Sequence, residues 1–128
     1  MNGAQTQVRE FHEAFGLGAP RDPDPKAFPA ELRIRLIEEE AAEFAVAARA
    51  GDVVEMIDAL CDLLYVTYGA AVSLGIDLEP FFDEVHRTNM AKVGGKRRDD
   101  GKWLKPEGWM PPDLARVLAE RHPPRDDV

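Results

Sequence analysis

One cysteine, Cys61, stands in the whole chain, so no internal disulfide can form and packing must hold the fold together. Set between apolar neighbours in a helical stretch, Cys61 reads as a core residue. No run of 18 consecutive apolar residues is present to cross a membrane. The opening residues, MNGAQTQVRE, lack the apolar segment of a signal peptide, so no membrane association and a cytoplasmic location are expected. Period-2 alternation of any length is missing as well, which excludes a sheet and leaves an all-α chain. Positive charge is not in excess. The formal net charge of −8 argues against a nucleic-acid partner, because phosphate backbones are bound by basic surfaces. No Cys/His cluster offers a zinc site. The paired Glu-x-x-His elements of a di-iron bundle are absent too, Asp83 to His86 being the nearest approach.

What is present suffices for one domain over residues 1–128, with 45% hydrophobic residues. The spacing of Val8, Phe11 and Phe15 predicts an amphipathic helix over 5–16, beside which His12 reads as a surface or packing residue. Residues 18–29 contain four of the ten prolines and read as an extended linker. Pro29 suits the first turn of a helix running from Ala30 to Arg49. In that helix Ile34, Ile37, Ala41, Phe44 and Ala48 form an apolar stripe. Gly51 closes it and Asp52 caps the next helix, 53–74, with Glu55 completing a capping box. Gly75 ends that helix, and Asp77 caps a fourth that fades between Ala91 and Gly94. A basic loop follows over 94–112, holding Trp103 and Trp109, whose size implies that it packs onto something. A short helix over 113–121 and a frayed tail at 123–128 end the chain. The expected architecture is an antiparallel bundle of four to five helices.

The informative stretch is Glu31–Gly69. Glu39, Glu40 and Glu43 fall within an arc of about 100° on one helix, and Glu55, Asp58 and Asp62 within about 60° on the next. Glutamates on the first helix share their side with Leu32, Leu36 and Ala47, so that side is partly enclosed, where unpaired carboxylates are costly. A solvated face is the ordinary reading of three consecutive glutamates; the second helix argues against it. Asp58 and Asp62 sit four apart in an otherwise apolar helix, which aspartate does little to stabilise. Facing carboxylate ladders repel unless a cation lies between them. Hard oxygen donors suit Mg²⁺, with Mn²⁺ as a possible substitute, and phosphates as remaining ligands. From His86 to Lys105 seven Lys/Arg meet only Asp99 and Asp100, a balance suited to a small phosphorylated ligand.

The segments IEEEAAEF, DALCDLLYVTYG and EVHRTNMAKVGGKRRDDGKWLKPEGWMPPDL together resemble the all-α nucleoside triphosphate pyrophosphohydrolases, the MazG-like group that includes dimeric dUTPases. That group carries Glu-x-x-Glu on one helix and Glu-x-x-Asp on the next. The first maps onto Glu40 and Glu43, with Glu39 beside them. The second maps onto Ala59 and Asp62, so Ala59 stands where a glutamate is expected; either Asp58 replaces it or Glu55-x-x-Asp58 is this chain's version. The resemblance implies Mg²⁺-dependent cleavage between the α and β phosphates of a nucleoside triphosphate, with a deoxypyrimidine such as dUTP as candidate substrate. On this reading Glu39, Glu43, Asp58 and Asp62 are metal ligands. Glu40, within the same set, orients or deprotonates the attacking water. Asn89 and Lys92 contact phosphate and sugar or base, and Lys105 and Trp109 close over the nucleotide.

The resemblance also implies a homodimer or homotetramer. The two central helices agree, being apolar around too much of their circumference for one protomer to bury. Three rivals remain: phosphoribosyl-ATP pyrophosphohydrolase, a non-catalytic nucleotide- or metal-binding module, and a purely structural helical oligomer.

Overall fold

Asn2 accepts a hydrogen bond from the Gln5 backbone N–H and so starts α1, Gly3–Ala14. The computed structural model describes residues 1–124; the tail expected at 123–128 lies, from Arg125 onward, outside the described residues. After α1 come α2 (Ala30–Ala50), α3 (Val53–Leu74), α4 (Leu78–Met90) and α5 (Leu114–Arg121). Among the described residues there is no strand, only an isolated bridge between Arg97 and Trp103, and the chain is all-α.

The chain divides into two compact units, Met1–Leu78 and Glu79–Val128. In the first, α1 and α2 both pack against α3. Gly51 (φ +70°) ends α2 in the left-handed conformation, and Asp52 caps α3 through the Glu55 N–H, so a two-residue turn folds α3 back along α2. The seam between them is lined by small residues. Ala47 and Ala59 are 7% and 4% exposed, and Gly69 is buried. Small residues let the backbones approach and leave room for longer polar side chains between them.

Here the structure departs from the apolar stripe expected on α2. Its buried residues are Arg33 and Ala47, while Ile34 is 47% exposed. Hydrophobicity alone predicts that stripe, whereas α2 turns its Arg33–Glu40–Ala47 side, a seven-residue repeat, toward α3. On α1 the buried residues are Gln5, Val8 and His12, and Phe11 and Phe15 form an outer ring pair with Tyr65 against Phe11. Gln5 is a clamp: its amide donates to the Ile76 carbonyl and accepts from the Leu78 N–H. Cys61 is exposed rather than core. It sits on a helix so apolar that one protomer leaves Val54, Ile57, Leu60 and Leu64 at 46% exposure or more. By length and composition α3 is also long and apolar enough to cross a membrane. Its carboxylates interrupt every long apolar run in the sequence without lowering the helix average enough to prevent this.

In the second unit Glu84 organises the packing. It is 5% exposed, accepts two hydrogen bonds from Arg87 at 2.6 and 3.1 Å and one from the Asp113 N–H at 2.7 Å, and lies 3.8 Å from Arg116. Asp113 caps α5, so Glu84 ties α4 to the start of α5. The Arg87 hydrogen bonds, then the Asp113 N–H, pull the Glu84 carboxyl down to about 2 against an ordinary value of 4.5. A depressed carboxyl stabilises the fold above its unfolded value and loses that contribution as pH falls through the folded one. Acid titration followed by Trp109 fluorescence is therefore expected to show this unit loosening between pH 4.5 and 2, and Glu84→Gln is expected to flatten that dependence.

Candidate metal centre

One carboxylate oxygen each from Glu40, Glu43 and Asp62 lie within 4.8 Å of one another. Glu40 and Glu43 share a face of α2 one turn apart, and the close α2–α3 seam brings Asp62 of α3 to them. Glu40 is only partly exposed and its Oε2 is buried with no hydrogen-bond partner among the described residues. Burial raises its carboxyl first; the charges of Glu43, Asp62 and Glu39 and a hydrogen bond with Glu43 push it further the same way. Three converging hard oxygen donors, one with an orphaned buried atom, fit a divalent cation such as Mg²⁺ or Mn²⁺, which satisfies that atom and cancels the repulsion.

The other predicted ligands are placed differently. Asp58 lies, with Glu55 and Asp52, along an open groove of about 450 Å³ that Glu43 also lines and whose floor includes Ala47 and Ala59. Glu43 thus belongs to both the three-carboxylate group and the groove. Glu55 additionally receives the Asp52 cap through its own N–H, a bond that leaves its carboxylate free. Glu39 is exposed and belongs to neither, acting on the group through its charge. Ala59 packs into the helix seam.

In the second unit, Asn89 and Lys92 line a cavity of about 520 Å³ together with Met90, Lys102 and Trp103. Sequence reasoning missed Lys102 and Trp103 in that role. Their proximity depends on the bridge from Arg97 to Trp103 and on the Arg98 N–H to Lys102 carbonyl hydrogen bond, which no local spacing announces. Lys105 and Trp109 do not line the cavity. Trp109 lies with the Lys92 and Lys105 ammonium groups 5.3 and 5.0 Å from its ring centroid, and its indole N–H donates to the Thr88 carbonyl at 2.6 Å. The structure therefore collects Lys92, Lys105 and Trp109 into one cation–π stack anchored on α4.

The family described as phosphoribosyl-ATP pyrophosphohydrolase matches residues 8–89, a span that takes in both carboxylate helices. An uncharacterized protein of Acanthamoeba polyphaga mimivirus is 36% identical over 77 residues, 56% of this chain and 31% of that protein. The chain thus spans about a third of the length of that curated relative. Since the family match covers well over half of its residues, the chain belongs to the phosphoribosyl-ATP pyrophosphohydrolase family, within the all-α NTP pyrophosphohydrolase (MazG-like) superfamily.

Proposed function

We propose that this chain is a Mg²⁺-dependent nucleotide pyrophosphohydrolase that converts a nucleoside triphosphate, dUTP or another deoxypyrimidine triphosphate, to the monophosphate and pyrophosphate, removing unwanted nucleotides from the pool. The observation that carries this reading is the carboxylate group with its orphaned buried Glu40 oxygen, in a chain of a pyrophosphohydrolase family. Glu40, Glu43 and Asp62 hold the cation, with Asp58 and Glu55 available along the adjoining groove. Bound there, the ion supplies charge neutralisation for the polyphosphate and its leaving group. Glu40 orients the attacking water and takes its proton. Within the second unit, the cavity lined by Asn89, Lys92, Lys102 and Trp103 offers an amide, two ammonium groups and an aromatic face, which suit sugar, phosphate and base.

The exposed apolar positions of α3 support a homodimer or homotetramer in which a second copy covers them. One alternative substrate is suggested by the description of the matching family, phosphoribosyl-ATP, whose cleavage breaks the same kind of anhydride bond. The test is pyrophosphate release from canonical and modified (d)NTPs and from phosphoribosyl-ATP, with Mg²⁺, with Mn²⁺ and with EDTA. Metal-dependent release with a deoxypyrimidine triphosphate preferred is the expected result. Preference for phosphoribosyl-ATP selects the alternative, and a folded, metal-binding protein that releases nothing overturns both in favour of a binding module.

A further inference from the structure

Away from the carboxylates, the first unit buries a second ionic group. Arg33 is 8% exposed, yet none of its nitrogens comes within 4.0 Å of a carboxylate among the described residues. Its Nε has no hydrogen-bond partner, and Nη2 reaches only His12 Nε2, at 3.5 Å. His12, itself 2% exposed, uses its other ring nitrogen on the Gly18 carbonyl at 3.1 Å. A donor there leaves Nε2 as an acceptor, so the imidazole meets the guanidinium as a neutral group. A guanidinium has five donors; of these the buried Nε is left without a partner and Nη2 has one long bond. Burial lowers the Arg33 value from its ordinary 12.5, since the charged form loses its hydration there.

The surroundings leave room for what is missing. Arg33 lines a cavity of about 560 Å³ whose other walls include Leu17, Pro20, Ala27, Leu32 and Ser73. The start of α2 borders it through Pro29, which caps the helix without any side-chain hydrogen bond, while the Ala30 N–H donates to the Phe28 carbonyl. Glu31, the acid of that first turn, is exposed and forms no part of the lining. The wall is pinned in place: Arg9 donates to the Ala19 carbonyl, and a Cβ on Gly69 would come 2.8 Å from Arg33 Nη1, so α3 presses against the guanidinium. Arg33 and Glu40 are seven residues apart on α2, about 10 Å along the helix axis, which makes this a separate place from the metal centre.

We propose that this cavity binds a small organic acid, its carboxylate held by the Arg33 guanidinium at the start of α2 and its apolar body against Leu17, Pro20, Ala27 and Leu32. A carboxylate matches the planar fork of arginine. A single cation among mostly apolar walls, with Ser73 the one hydroxyl in the lining, fits a monoanion with hydrocarbon better than a multiply charged, strongly hydrated phosphate.

The experiment follows the His12 Cε1–H resonance by NMR in the full-length protein, titrated at fixed pH and ionic strength with benzoate, acetate and inorganic phosphate in turn. The expected result is a saturable shift with benzoate, at least tenfold weaker binding of acetate, and loss of the shift in Arg33→Met. Because Arg33→Met removes a buried side chain and the protein can fail to fold, Ala19→Phe serves as the second variant. It fills the cavity, keeps Arg33 and the Ala19 carbonyl, and is expected to abolish the shift. No saturable shift with any probe, a shift that survives Ala19→Phe, or phosphate binding more tightly than benzoate overturns the proposal. None of these readouts depends on nucleotide turnover.

Discussion

Asp62→Asn is expected to lower metal-dependent pyrophosphate release by at least about a hundredfold, since a bound cation contributes several kcal/mol to the transition state. The substitution keeps the shape of the side chain and so the α2–α3 seam, but removes one of the three converging negative oxygens. Helical content by circular dichroism is expected to stay at the wild-type level, while the rise in melting temperature expected on adding Mg²⁺ to the wild type is expected to be absent. Glu40→Gln makes the complementary case. In metal-free protein it relieves the crowding of Glu40 against Glu43, Asp62 and Glu39, so its melting temperature without metal is expected to rise even as turnover falls. Wild-type rates and wild-type Mg²⁺ stabilisation in Asp62→Asn would remove these carboxylates from the reaction and return the cluster to a solvated face.

The largest expected loss of stability comes from a residue with no chemistry, Gly75→Ala. Gly75 ends α3 at φ +87°, and a Cβ there would meet the Asp22 carbonyl oxygen at 2.5 Å and Pro20 Cγ at 3.2 Å. The left-handed conformation costs an L residue about 1–2 kcal/mol. The collision is with backbone, which cannot swing aside as a side chain would, and overpacking of this kind adds about 1–3 kcal/mol. Together a loss of about 2–5 kcal/mol is expected in urea unfolding at constant m, a large part of the stability of a domain this size. A loss below about 1 kcal/mol would show that the 18–29 segment is not docked on the end of α3. Gly69→Ala is the informative contrast. Its Cβ meets the end of a long side chain, Arg33 Nη1, and alanine regains about 1 kcal/mol of helix propensity, so a far smaller change is expected.

Much of the fold was legible because helix ends are local chemistry. Gly51 and Asp52 mark the α2–α3 turn, the third helix lies at 53–74 as read, and Asp113 starts the last one, since capping residues act within four positions of themselves. Membership of an all-α pyrophosphohydrolase group was legible too, because the acidic repeats and the Lys-rich tail are strings of residues. Other features depend on how far each helix is rotated about its axis, which no string states. Ile34 appeared to belong to the core and Cys61 with it, yet the packed side of α2 carries Arg33, Glu40 and Ala47, and Cys61 faces outward. That rotation is set by small residues, Ala47, Ala59 and Gly69, which gain stability by close backbone approach rather than by their own hydrophobicity. It also decided which carboxylates converge: Glu40, Glu43 and Asp62 meet, while Asp58 and Glu55 line the neighbouring groove. The Gln5 clamp, the Glu84 tie to α5 and the Trp103 cavity join residues far apart in sequence or across a loop. Sequence alone determined the residue types and the helices that carry them; tertiary structure decided which of those residues share a site, because contacts between helices depend on packing that local spacing does not encode.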